Sequence, residues 1–134
     1  MNEDQGREHG TTVLVVEDDA DYREGLRHIL ESAGYRVLEA ATGAAGLELS
    51  GSERPPVVIV DLILPDANGI GICYALKHDR RFAGTKVAAL TARSDERARA
   101  WALAAGVDAF MVKPSDPEQV IHLVRDLADA RESV

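Results

Sequence analysis

The chain has 134 residues, 46% of them hydrophobic but only 4% aromatic, which suits one ordinary-sized domain with an aliphatic core. Its 23 acidic against 15 basic side chains leave a net charge of −8, which argues against unaided nucleic-acid binding and for solubility, or for cations gathered at carboxylates. One cysteine, Cys73, excludes an internal disulfide framework and suits a reducing cytoplasm, no apolar run nears the roughly 18 residues of a membrane span, and the opening MNEDQGREHG lacks the apolar centre of a secretory signal.

Residues 1–10 read as a disordered polar tail. Thr12 to Val16 is a β-branched run that ends in acids, the first predicted strand. Tyr22, Leu26, Ile29, Leu30 and Ala33 then recur at three- and four-residue spacing before Gly34, which predicts a helix and its stop. Asp19 and Asp21 read as caps for that helix rather than as ligands. Arg36 to Ala40 is a second short strand. Thr42 caps a second helix through Ala45, Leu47 and Leu49, terminated by Gly51 and Pro55-Pro56. Val57 to Val60 is apolar on both faces, as a central parallel strand requires. A third helix carries Ile72, Cys73 and Leu76 and ends near Asp79, with Cys73 as a small core residue. Lys86 to Thr91 is the fourth strand, and Ser94 caps a fourth helix that runs to Gly106. Trp101 lies beside the Arg97/Ala100/Leu103 spacing of that helix, so partial exposure is expected, at a core edge or a partner contact. Ala109 to Val112 is the fifth strand. Asp116, Pro117 and Gln119 then stand as cap, first-turn proline and N3 residue of a last helix striped by Val120, Leu123, Val124, Leu127 and Ala128.

Five alternations of strand and helix imply an α/β domain with a parallel sheet, right-handed crossovers and helices on both faces. In such sheets functional groups collect beyond the carboxyl ends of the strands. Glu17, Asp18 and Asp19 end the first strand, Asp61 the third, Thr91-Ala92 the fourth and Lys113-Pro114 the fifth. Carboxylates held close together repel one another unless a cation neutralises them. Oxygen donors without His or Cys favour a hard cation, and magnesium is the economical choice. His9, His28, His78 and His122 are scattered without ligand spacing and read as surface residues.

Glu17-Asp18, Asp61 before the loop Leu62-Ile63-Leu64-Pro65-Asp66-Ala67-Asn68-Gly69, Thr91-Ala92 and Lys113-Pro114 together resemble the signature of response-regulator receiver domains. Thr91 follows Asp61 by 30 residues and Lys113 follows Thr91 by 22, and the similarity spans about Thr11 to Arg131. The resemblance implies a flavodoxin-like, doubly wound (βα)5 fold with strand order 2-1-3-4-5. It implies a receiver unit at 11–131, with a tail at 132–134, in a cytoplasmic two-component system.

By that resemblance Asp61 is the phosphoacceptor for a sensor histidine kinase or histidine phosphotransfer protein. Asp18, Asp61 and the backbone carbonyl of Ile63 hold Mg2+, with Glu17 assisting through water and Mn2+ as a substitute. Lys113, Thr91 and Ala92 engage the phosphoryl group, and Phe110 follows Thr91 inward. Ile63 and Arg93 flank the path of hydrolytic water and tune the phosphorylated lifetime. Lys113-Pro114 is a cis-peptide candidate. Output is expected through protein contact on the face of the fourth helix, fifth strand and fifth helix, a phosphorylation-dependent homodimer included, without direct contact to nucleic acid or membrane. Such a module is no enzyme beyond its own phosphoryl transfer and slow autodephosphorylation. After the last helix only Glu132, Ser133 and Val134 follow, and a receiver fragment of a longer regulator or hybrid kinase would read the same.

Two departures from the family pattern stand out: Glu17 where Asp is more usual, and Phe110 where Tyr is frequent. Two rivals use the same residues. A degenerate receiver would act as a phosphorylation-independent interaction module, but such domains lose an acid, the hydroxyl or the lysine. A magnesium phosphohydrolase of the haloacid-dehalogenase type wants a second acid two residues after its nucleophile, where this chain has Ile63, and a cap-sized insertion that is lacking here.

Overall fold

The computed structural model describes residues 11–92 and 95–132. Five strands, β1 (Thr12–Val16), β2 (Arg36–Ala40), β3 (Val57–Asp61), β4 (Lys86–Ala92) and β5 (Ala109–Lys113), alternate with five helices. These are α1 (Ala20–Ser32), α2 (Gly43–Glu53), α3 (Gly69–His78), α4 (Glu96–Ala105) and α5 (Pro117–Glu132). All strand pairs are parallel, in the order β2-β1-β3-β4-β5. The expected doubly wound α/β fold is therefore the observed one. No helix among the described residues is long and apolar enough to cross a membrane.

Strand alternation divides the core in two. Leu14, Val16, Val58, Val60, Val87 and Ala89 face α2, α3 and α4, where Gly46 lies against Val16 and Ile72, Cys73, Leu76, Ala98 and Ala102 fill the layer. Val13, Val15, Val57, Ile59, Ala88, Leu90 and Met111 face α1 and α5, where Leu26, Leu30, Val120, Val124 and Leu127 close the second layer. The central strand β3 is buried throughout, as its unbroken apolar run foretold. Cys73 is fully buried, and burial pushes its thiol up to about 12, so it behaves as a small core residue.

Three local expectations need correction, and one short element was not expected. The second helix runs past Gly51 to Glu53 and stops only at Arg54, which adopts the left-handed conformation. One interior glycine costs a helix only about 1 kcal/mol, too little to end it. Between α3 and β4 a short 3-10 helix, Arg80–Phe82, is capped by Asp79 and buries Phe82, a turn that periodicity alone did not reveal. The cap of α4 is Asp95, whose side chain accepts from the Ala98 N–H, while the predicted cap Ser94 lies outside the described residues. The buried stripe of α4 is Ala98, Ala102 and Ala105, not Arg97/Ala100/Leu103, because small side chains let the helix approach its neighbours closely. Trp101 is left about half exposed, and Leu103 more so.

Candidate functional site

Alternation also decides which strand-end residues meet. Glu17, Asp61 and Lys113 each lie an even number of residues beyond a side chain of the α1/α5 layer, so all three project to the same side of the sheet. Thr91 and Phe110 have the opposite parity and belong with the α3/α4 layer. The pairings Asp61↔Leu90 and Ala92↔Lys113 bring the strand ends level.

The outcome is a cleft of about 310 Å3 lined by Glu17, Asp18, Asp61, Ile63, Thr91, Ala92 and Lys113, with Asp19 and Asp95 at its edge. Glu17 is 0% exposed and Asp61 5%, whereas Asp18 is open to solvent. The Lys113 ammonium bridges the two buried acids, 2.5 Å from Glu17 Oε1 and 2.9 Å from Asp61 Oδ2. The other oxygen of Asp61 accepts from the Ile63 N–H at 2.9 Å, and the other oxygen of Glu17 from the Asp19 N–H at 3.0 Å. Both carboxylates are thus held at two points.

Electrostatics matches this geometry. Burial pushes the Glu17 carboxyl up to about 7; the Asp19 N–H and Lys113 pull it down less strongly, and Asp61 adds to the rise. Partial burial pulls the Lys113 ammonium down, but its bonds to Glu17 and Asp61 outweigh that and leave it raised. Glu17, Asp18 and Asp61 can each offer an oxygen within 4.8 Å of the others. An all-oxygen donor set with one wholly buried carboxylate and a single ammonium for three acids fits a hard divalent cation.

The other predicted residues fall as follows. Thr91 is buried, its hydroxyl donating at 3.3 Å to the Ala92 carbonyl, a long bond that is easily exchanged. Ile63 is 70% exposed and lines both this cleft and a neighbouring apolar groove that reaches Trp101. The Lys113-Pro114 peptide bond is cis. Phe110 does not line the cleft; it is half-buried on the α3/α4 side of β5 with the Arg99 guanidinium 4.6 Å above its ring. Arg93 lies outside the described residues. Of the four histidines, His28, His78 and His122 are exposed, and His78 stacks on Tyr74.

Three contributors were missed in the sequence. Asp95 reaches the cleft edge while it caps α4. Asp66 crosses to the start of α2, accepting from Gly43 and Ala44 N–H at 2.8 and 3.1 Å, and these bonds hold its carboxyl below the usual range. It pins the loop that carries Ile63. Tyr22, read only as part of a core stripe, sets its ring beneath Lys113. Its place one turn after the Asp19 cap was the only available hint.

Comparison with known proteins agrees with this geometry. The response regulator receiver domain family matches residues 13–125. The transcriptional regulatory protein GltR of Pseudomonas aeruginosa is 32% identical over 119 residues, 89% of this chain and 49% of that protein. The KDP operon transcriptional regulatory protein KdpE of Escherichia coli is 41% identical over 104 residues, 78% of this chain and 45% of that protein. The chain therefore spans about half the length of these curated relatives. Among solved structures, a CheY-like receiver domain protein from Methanospirillum hungatei superposes with a TM-score of 0.85 at 28% identity, covering 92% of this chain and 97% of that one. The signal receiver domain of a histidine kinase from Syntrophus aciditrophicus gives 0.84 at 30% identity, covering 90% and 92%. The match across the whole sheet, with an acidic cluster at the expected strand ends, makes this chain a member of the response regulator receiver domain family of two-component signalling.

Proposed function

We propose that residues 11–131 form a phosphoacceptor unit that takes a phosphoryl group onto Asp61 from a histidine kinase or histidine phosphotransfer protein, and so switches protein contacts in the cytoplasm. The observation that carries this reading is the Lys113 ammonium 2.9 Å from Asp61 Oδ2 at the mouth of a cleft, at the end of a strand buried along its whole length. Lys113 fixes one oxygen of the carboxylate that would act as nucleophile. The Ile63 N–H fixes its orientation from the other side.

In the reaction an Asp61 oxygen attacks phosphorus in line with the phosphorus–nitrogen bond of the donor. That bond breaks, the imidazole nitrogen keeps the electron pair, and an acyl phosphate remains on Asp61. Lys113 then shifts from the Asp61 carboxylate to an oxygen of the transferred group, where charge has moved. The Thr91 hydroxyl exchanges its long bond to Ala92 for another phosphoryl oxygen, and small, exposed Ala92 leaves the donor's approach open. Asp18, Asp61 and the Ile63 carbonyl, with Glu17 through water, would hold Mg2+ or Mn2+, whose positive charge offsets that of the transferring group. Movement of Thr91 toward the cleft frees space on its own side of the sheet, where Phe110 lies, so the change is passed toward α4, β5 and α5. A downstream protein or a second copy of the chain reads that face.

Incubation with phosphoramidate and Mg2+ is expected to add one phosphoryl mass to the wild-type chain and none to Asp61→Asn or to wild type in excess chelator. Equal labelling of the variant would overturn the assignment.

A further inference from the structure

Lys113 has a third partner that belongs to no strand end. Its ammonium lies 5.0 Å from the centre of the Tyr22 ring, on the first turns of α1. The Tyr22 hydroxyl sits 2.7 Å from Ser115 Oγ, and Ser115 in turn donates to the Val112 carbonyl at 2.8 Å. A serine hydroxyl has one proton, already given to Val112, so Tyr22 must be the donor to Ser115. The ring is therefore held at both ends, by α1 at its Cα and by the β5–α5 loop at its hydroxyl. Its inner edge packs on the α1/α5 core layer.

We infer that Tyr22 is a positioning residue for Lys113, an aromatic rest that keeps the ammonium in the cleft while its anionic partners change. The inference rests on the phosphoacceptor reading above. Before transfer Lys113 bridges Glu17 and Asp61, and after transfer one of those bonds must pass to a phosphoryl oxygen. A four-carbon stem that has let go of a carboxylate is free to swing into solvent. A ring face attracts a cation whatever anion stands opposite, so it holds the ammonium through the exchange. An aliphatic side chain at position 22 would fill the core equally well but offer no such attraction. The hydroxyl–Ser115 bond adds a second effect: it ties the ring to the segment that immediately follows Lys113-Pro114, so ring and ammonium move together.

The test uses the full chain with Tyr22→Phe, which keeps the ring, and Tyr22→Leu, which removes it, both checked for folding by thermal melting. In wild type the ε-methylene protons of Lys113 should show an upfield ring-current shift by NMR, retained at least in part in Tyr22→Phe and lost in Tyr22→Leu. Phosphorylation by phosphoramidate should slow roughly two- to fivefold in Tyr22→Leu relative to Tyr22→Phe, the range expected for a cation–ring contact near the surface. Absence of the ring-current shift in wild type overturns the contact without recourse to any variant. A shift lost in Tyr22→Leu with equal phosphorylation rates overturns the positioning role. A wild-type chain that takes up no phosphoryl group overturns the functional reading and not the contact, because the NMR arm needs no phosphorylation.

Discussion

Glu17 and Asp61 share one ammonium inside a wall that excludes water from Glu17 entirely, and the pH response of the domain follows from that arrangement. A carboxyl raised from 4.5 to about 7 binds more protons folded than unfolded, so the stability it contributes is present at low pH and is lost as pH rises across that interval. In excess chelator the melting temperature of wild type should therefore fall, relative to Glu17→Gln, between about pH 5 and pH 7. Mg2+ binding to the folded state should reverse the loss, and Asp18→Ala should blunt that rescue. A variant that responds to Mg2+ as wild type does would put the cation elsewhere. Ile63, 70% exposed over the cleft, is the candidate brake on hydrolysis: Ile63→Asn is expected to shorten the phosphorylated lifetime severalfold, read as decay after donor removal. An unchanged lifetime would mean that another feature sets the clock. Residues at strand ends could be found in the sequence because alternation and run length say where a strand stops and which side each residue faces. Tyr22 and Asp66 could not, since each works through a partner on a different element, 93 residues away for Tyr22 and 23 for Asp66 and Gly43, while Asp95 is a local cap that stands beside Ser94, a residue of the same capping chemistry.

At the level of elements, the strands were legible almost to the residue because each is a β-branched or alternating run between turn residues. The helices were less so. An alanine-rich helix such as α4 satisfies helical spacing in more than one phase, and only packing selected Ala98, Ala102 and Ala105. The junction of β3 and α3 shows what spacing cannot convey. A Cβ on Gly69 would lie 2.1 Å from the Asp61 carbonyl oxygen and 2.6 Å from Leu62 Cα, so α3 can begin directly against the end of β3 only through a glycine. The Gly69 N–H donates to the Leu62 carbonyl at 3.0 Å and closes the loop. Gly69→Ala should displace that loop and cost about 1–3 kcal/mol or more, measured by chemical denaturation, with slower phosphorylation because Ile63 and Asp61 move with it. A variant as stable and as reactive as wild type would show that the loop has slack the packing does not suggest.

Over the whole molecule, the two core layers are held by one sheet, and Thr91 and Phe110 share the layer opposite to Asp61. In the proposed mechanism an event at Asp61 would reach the far side through Thr91, and there the Arg99 contact joins Phe110 to α4. Thr91 and Phe110 could be picked out in the sequence, but the ring contact with Arg99 depends on how α4 lies over β5. Phosphorylation or beryllofluoride is accordingly expected to change Trp101 fluorescence and the amide resonances of Ala109 to Val112. Shifts confined to α1 and α2 would move the output face elsewhere. The central claim is that Asp61 itself carries the phosphoryl group. Borohydride reduction of the phosphoramidate-treated chain, followed by peptide mass mapping, tests it most directly, because the hydride converts an aspartyl phosphate to homoserine and leaves free carboxylates untouched. Homoserine is expected at position 61, dependent on Mg2+. Homoserine at Asp18 or another acid, with Asp61 intact, would contradict it.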